Sequence, residues 1–258
     1  MKKKLLITLS LVLGLTCISG CSKKEEEEVT LTLAAAASLE NVFEDDIIPA
    51  FEKEHPNIHI QGVYDSSGKL QKQIENGLDA DIFFSAATKQ MTELKDEGYI
   101  NEGSIKDYLI NELVLITGVN TTTTVTGFEN IQNASTIAIG DPEVVPAGQY
   151  AKTALTKLGV YDELTSKYSL GGNVTEVLSW VVASSSEVGI VYETDAKSTD
   201  QVKILATCNH QWLDKPVVYP VAKIKKDTEK SGADTFFEFI QSTSSKEAFE
   251  KHGFTINS

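Results

Sequence analysis

The chain has 258 residues, 41% of them hydrophobic, and a formal charge of −14 at pH 7. That is enough for one large or two small globular domains; it is too apolar for a disordered tail and, with three cysteines, too poor in Cys for a disulfide scaffold. The 37 acids against 23 bases argue against nucleic acid as a partner, and every base is a lysine, so no guanidinium fork can grip a carboxylate or phosphate in two places.

Lys2, Lys3 and Lys4 precede an apolar run, Leu5 to Cys17, that is too short to span a bilayer. A charged start, an apolar middle and small residues at the end make an export signal. The closing Ile18-Ser19-Gly20-Cys21 resembles the lipobox of bacterial lipoproteins. It implies a lipoprotein signal peptide over residues 1–20 and a lipid on Cys21, which would anchor the mature chain to the membrane outside the cytoplasm. The alternative is an ordinary cleaved signal with a chance cysteine. Residues 21–28 are polar and acidic and read as a tether. Loss of residues 1–20 removes three lysines and no acid, so the mature chain is more acidic still. Cys17 leaves with the signal and Cys21 is the anchor. Cys208 is then left without a disulfide partner and is expected to be an inert buried thiol.

From Val29 onward, short apolar runs alternate with amphipathic segments, the pattern of a parallel sheet flanked by helices. Strands are predicted at Val29–Ala34, Ile58–Tyr64, Asp81–Ser85, Leu113–Gly118, Thr136–Gly140, Val188–Tyr192, Val202–Ala206 and Val217–Lys223. Helices are predicted at Ser38 to about Lys53 with a bend or break at Pro49, Gly68 to about Asn76, Lys89 to about Gly98, Gly148–Leu158 and Val174–Ala183. Two further helices, Thr228–Gln241 and Ser245–His252, close the chain, while the stretch between about Gly98 and Leu113 reads as a polar patch and Thr121–Thr126 as a loop. Two such sets suggest two lobes, with the tail helices returning to the first.

Most candidate chemistry fails on spacing. Ser66-Ser67-Gly68-Lys69 looks like the end of a phosphate loop, but the upstream Gly62 is misplaced by one residue and Leu70 stands where Ser or Thr must hold magnesium. His55 and His59 have metal-ligand spacing only on a helix, which Pro56 denies them. No Gly-x-Ser-x-Gly elbow is present. The informative feature is a set of strand-to-helix junctions. Ala34-Ala35-Ala36-Ala37-Ser38-Leu39 turns into a helix with Ser38 as its cap, and Asp65-Ser66-Ser67-Gly68 does the same. The turn Gly140-Asp141-Pro142-Glu143-Val144-Val145-Pro146-Ala147-Gly148 feeds a helix whose first free amides are at Ala147 and Gly148. Gly171-Gly172-Asn173-Val174 opens another, with Asn173 as N-cap and Glu176 completing a capping box. Helix starts carry unpaired N–H groups and a partial positive charge, so several aimed at one point hold an anion without a formal cation.

At these residues the chain resembles the molybdate-binding proteins of ABC uptake systems, over about Val29 to Phe254. The resemblance rests on Ala36-Ala37-Ser38-Leu39, Asp65-Ser66-Ser67-Gly68, Ala80 to Ala86, the Gly140–Gly148 turn with Tyr150-Ala151-Lys152, Gly189-Ile190-Val191-Tyr192 with Asp195-Ala196, Tyr219-Pro220-Val221 and Gly253-Phe254. The Gly-Asp-Pro-x-x-Val-Pro-Ala-Gly turn is its most specific part. It implies an α/β, two-lobed periplasmic-binding-protein-like fold of type II, each lobe a sheet flanked by helices, with the ligand in the cleft between lobes. Residues 29–111 plus 219–258 would form lobe 1 and 112–218 lobe 2. It also implies an oxyanion held by the hydroxyls of Ser38 and Ser67, the amides of Ala147 and Val174, and the Tyr192 hydroxyl, with no catalytic residue, no cofactor and no protein-bound metal cation. Asp65, where the family often has a small or hydroxylated residue, is expected to point away from the anion.

These expectations fit the physical chemistry. A tetrahedral dianion offers acceptors only, so every lining group must donate. A protonated oxyanion such as hydrogen phosphate would set its own proton against a donor. Sulfate must be rejected by size, and tungstate is expected to bind like molybdate. The expected partners are molybdate or tungstate and an ABC permease, with no nucleic acid, for a monomeric receptor. Rival readings are a tungstate or sulfate receptor of the same fold, a secreted hydrolase with Ser38 or Ser67 as nucleophile, and a surface lipoprotein that has lost its ligand.

Overall fold

The structure, a computed structural model, describes residues 28–257. The expected signal peptide, the lipid on Cys21 and all of the tether but Glu28 lie outside the described residues. Among those described, no helix is long and apolar enough to cross a membrane.

Two mixed sheets form the framework. The first has six strands in the order β11-β4-β10-β3-β1-β2: Thr255–Ile256, Lys106–Asn111, Val217–Lys223, Ile82–Phe84, Val29–Ala36 and Ile58–Asp65. The second has five, β7-β6-β8-β5-β9: Tyr168–Gly171, Ile137–Gly140, Val188–Tyr192, Leu113–Gly118 and Val202–Thr207. The parallel sheet expected from sequence is only partly realised. Strand β1 runs parallel to β2 and β3, and β6 to β7 and β8, but β10 is antiparallel to β3 and β4, and β5 to β8 and β9. The antiparallel strands are those by which the chain changes sheets. It leaves the first between β4 and β5 and returns between β9 and β10.

The apolar runs behave as fully covered strands. Leu33 to Ala36 and all of Leu113–Gly118 are buried, as expected for strands with helices or loops on both faces. Strand β4 was hidden in the sequence because Lys106 and Asp107 are exposed and only Tyr108, Leu109 and Asn111 turn inward. Pro220 sits at a register shift between β10 and β4, where a missing N–H costs no ladder bond.

The helical run after β1 does not break at Pro49. It passes from a 3₁₀ turn at Ala37–Leu39 through α1 (Glu40–Val42) and a wide π turn at Phe43–Ile47 into α2 (Ile48–Glu54). The wide turn lets the chain reach Pro49 inside the first turn of α2, where proline is tolerated. Then come α3 (Ser67–Glu75), α4 (Thr88–Asp96), α5 (Pro146–Lys157), α6 (Val174–Val182), α7 (Glu193–Lys197), α8 (Ala233–Phe239) and α9 (Thr243–Lys251). The tail helices pack on the six-stranded sheet through aromatic rings, with Phe249 edge-on to Phe43, Phe84, Tyr108 and Phe254 at 5.8–6.0 Å.

Candidate functional site

The parallel strands of both sheets end at one small cleft. Ala36, Ala37 and Ser38 reach it from the end of β1, Ser66 and Ser67 from the end of β2, and Ala86 from just beyond β3. Val145, Pro146 and Ala147 face them from the turn after β6, Val174 from the start of α6 after β7, and Tyr192 from the end of β8. Crevices outside the carboxyl ends of parallel strands are where open α/β sheets bind ligands. All five residues singled out in the sequence, Ser38, Ser67, Ala147, Val174 and Tyr192, line this cleft, and among the described residues no lysine does.

The amide side is built by local sequence. Val145 ends the turn in extended backbone and Pro146 opens α5, so the N–H groups of Ala147 and Gly148 have no carbonyl four residues back inside the helix. Gly148 is required there, because a Cβ would fall inside the carbonyl of Gly140. At α6, Asn173 Oδ1 accepts the N–H of Glu176 at 2.9 Å. The carboxylate of Glu176 reaches back to the N–H of Gly172 at 2.7 Å, one residue before the cap, so the expected capping box is shifted by one. Val174, the first helical residue, lines the cleft wall.

The hydroxyl side differs from expectation at Ser38. It is not a helix cap: the cap position is Ala36, and Ser38 lies inside the 3₁₀ turn with its Oγ 2.9 Å from the Tyr219 hydroxyl. Ser67 Oγ accepts the N–H of Ala86 at 2.9 Å, which leaves its proton free to donate elsewhere. Ser66, not among the donors expected from the sequence, also lines the cleft, and its buried Oγ has no hydrogen-bond partner. The Tyr192 hydroxyl is likewise buried without a partner. Leaving such a group unpaired costs about 1–3 kcal/mol. Two orphans in one cleft therefore mark a place where something else completes the bonding. Burial holds the Tyr192 phenol well above its usual range, so it remains a donor.

The two walls also meet directly. The N–H of Gly68 on α3 donates to the carbonyl of Val144 at 3.0 Å, and a Cβ on Gly68 would lie 2.5 Å from that oxygen. Asp65 does point away. It accepts from the Ser66 N–H at 2.7 Å, pairs with Lys69 at 3.2 Å and meets Asn173 Nδ2 at 3.5 Å.

No base stands ready for a serine nucleophile. His210 and His252 pair with Glu112 and Asp46 at 2.7 Å, His59 lies 3.7 Å from Glu52, and His55 stacks on Phe51. Among the described residues no group of three or more His, Cys, Asp or Glu could hold a metal ion. Cys208 is buried and its thiol is pushed up to about 12 by burial, consistent with an inert core group.

Residues 31–255 match the family described as bacterial extracellular solute-binding protein. The Bacillus subtilis lipoprotein YvgL, provisionally named an ABC transporter substrate-binding protein, is 39% identical over 260 residues, covering 99% of each chain. The Haemophilus influenzae molybdate-binding protein ModA is 34% identical over 243 residues, 92% of this chain and 94% of its own. In three dimensions the periplasmic molybdate-binding protein of Azotobacter vinelandii superposes with a TM-score of 0.77 at 22% identity, covering 88% of this chain and all of that one. Its fold is the type II periplasmic-binding architecture of two mixed sheets flanked by helices.

Proposed function

Since the chain belongs to the bacterial extracellular solute-binding proteins, a family of receptors rather than enzymes, we propose that it captures molybdate outside the membrane and delivers it to an ABC permease. The observation that carries this reading is a cleft with donors on every side, no cation, and a buried Tyr192 hydroxyl left unpaired. Ser38, Ser67, Ala147, Val174 and Tyr192 would donate to the ion, and Ser66 adds a hydroxyl. Each hydrogen bond to a charged group is worth about 1.5–3 kcal/mol, so about six of them offset a heavy desolvation penalty without a formal counter-charge.

Residues 29–111 with 219–258 would move as one lobe and 112–218 as the other. Their donors can all reach one ion only when the lobes are together, so the ion stabilises the closed form by differential contact, and that form is what the permease would read. Cys21 would carry the lipid that keeps the receptor at the membrane, as the lipoprotein among its relatives suggests.

A thermal-shift panel with molybdate, tungstate, sulfate and phosphate tests the reading. Molybdate and tungstate should raise the melting temperature by similar amounts, sulfate less, and phosphate not at all. No shift with any of the four would refute it, and a shift with sulfate alone would replace molybdate by sulfate as the ligand. The hydrolase rival has neither a base at Ser38 or Ser67 nor a family to support it.

A further inference from the structure

Ser38 serves an oxyanion only if its proton points into the cleft, yet a serine hydroxyl can turn either way. Its neighbours remove that freedom. Asn111 closes β4 and is 4% exposed. Its Oδ1 accepts the N–H of Glu112 at 2.9 Å, which fixes the orientation of the amide. Nδ2 then faces away and spends its two protons on Thr194 Oγ1 at 2.9 Å and the Tyr219 oxygen at 3.2 Å. Tyr219 is fully buried, and burial holds its phenol well above the usual range, so it keeps its proton. Of the two groups within hydrogen-bond distance of its oxygen, Asn111 Nδ2 can only donate, and Ser38 Oγ at 2.9 Å is the one that can accept the proton. Ser38, now an acceptor from Tyr219, has its own proton left for the cleft.

We infer that Asn111 and Tyr219 are positioning residues: a one-way relay of donors, Asn111 to Tyr219 to Ser38, locks Ser38 as a donor toward the bound oxyanion. The inference deepens the oxyanion reading and rests on it. The relay's root lies where the chain crosses between sheets. Asn111 and Tyr219 belong to the six-stranded sheet, Thr194 lies two residues beyond the end of β8, and the Tyr219 ring meets Tyr192 edge-on at 5.5 Å. One network thus bonds the Ser38 hydroxyl on one wall and packs against the Tyr192 ring on the other.

Calorimetric titration of molybdate into the wild type, Tyr219→Phe, Ser38→Ala and the double variant tests this. Tyr219→Phe should weaken binding roughly three- to tenfold, as loss of one supporting hydrogen bond would. Ser38→Ala should weaken it at least as much, and the double variant should bind no more weakly than Ser38→Ala, because Tyr219 acts through Ser38. If Tyr219 merely packs, the two losses multiply. Multiplied losses, or wild-type affinity in Tyr219→Phe, overturn the relay. Should Tyr219→Phe not fold, Asn111→Leu enters the same cycle with Ser38→Ala and the same two outcomes decide. A wild type that gives no heat with molybdate overturns the ligand reading and the relay together, whereas wild-type binding with multiplied losses overturns the relay alone.

Discussion

Ser38, Ser66 and Ser67 stand on the wall of the cleft built by the six-stranded sheet, whereas Ala147, Val174 and Tyr192 stand on the wall built by the five-stranded one. On the proposed reading the first wall donates through side-chain hydroxyls whose protons are set by neighbours: Ser67 Oγ accepts from the Ala86 N–H, and Tyr219 would do the same for Ser38. The second would donate chiefly through peptide N–H groups at the first turns of α5 and α6, whose side chains are chemically anonymous. A hydroxyl wall is therefore sensitive to side-chain changes around it. An amide wall is blind to them and yields only to changes in the backbone.

The sharpest way to break that contrast is Val174→Pro, with the largest expected effect. Proline removes the N–H but suits the first position of a helix, and Asn173 before it is already extended (φ −156°, ψ 174°), as a residue preceding proline prefers. The Asn173 cap on Glu176 does not involve the lost group. Molybdate affinity should fall roughly 10- to 100-fold, the worth of one charge-assisted hydrogen bond, with the fold intact by circular dichroism. Val174→Ala, which keeps the amide, should bind like the wild type in the same titration. Equal affinity in the proline variant would mean that the α6 amide is not a donor to the ion.

A second contrast concerns charge. The five-stranded side carries a carboxylate, Asp195, buried against Tyr192, whose N–H it accepts at 3.1 Å. Burial raises it to about 7, with the Tyr192 N–H opposing. Its native pKa lies above that of the unfolded chain, so between about pH 4 and pH 7 the folded state holds a proton that the unfolded state has released. Stability therefore falls as pH rises through that window, by an amount on the order of 4 kcal/mol. Asp195→Asn keeps the acceptor for Tyr192 and removes the titration. Its melting temperature should gain on the wild type at pH 8 by more than at pH 5. An equal gap at both pH values would place the Asp195 ionisation elsewhere.

The two walls were also unequally legible in the sequence. Ser38, Ser67, Ala147 and Val174 sit at strand-to-helix junctions, where proline, glycine and cap residues leave a local signature, but their roles and the whole of Tyr192 came from the family resemblance. What Ser38 does there could not be read, since its partner Tyr219 lies 181 residues away and brings Asn111 with it. Ser66 escaped for a different reason. Nothing local separates two adjacent serines at a helix start, and Ser66 occupies the cap position without making the usual side-chain cap bond. The same limit applies to the fold. Long apolar runs such as Leu113–Gly118 announced themselves. Strand β7 hid because it is four residues long at a sheet edge with Leu170 half exposed, and β4 hid behind its charged start.

Tyr192 is the exception on the amide wall, a side-chain donor among peptide donors, and it offers the finest separation of folding from binding. Its hydroxyl is buried and unpaired in the protein as it stands, so it penalises the ligand-free fold by about 1–3 kcal/mol while it waits for an acceptor. Tyr192→Phe removes the penalty and keeps the ring's edge-on contact with Tyr219. The ligand-free protein should then melt about 2–12 °C higher, because 1 kcal/mol moves the midpoint of a domain this size by about 2–4 °C. Molybdate should bind several-fold more weakly and raise the melting temperature less. Opposite signs in the two measurements identify a group held unsatisfied for a ligand. A fall in both would mean that the hydroxyl supports the fold itself, because a purely structural hydroxyl cannot improve stability by leaving.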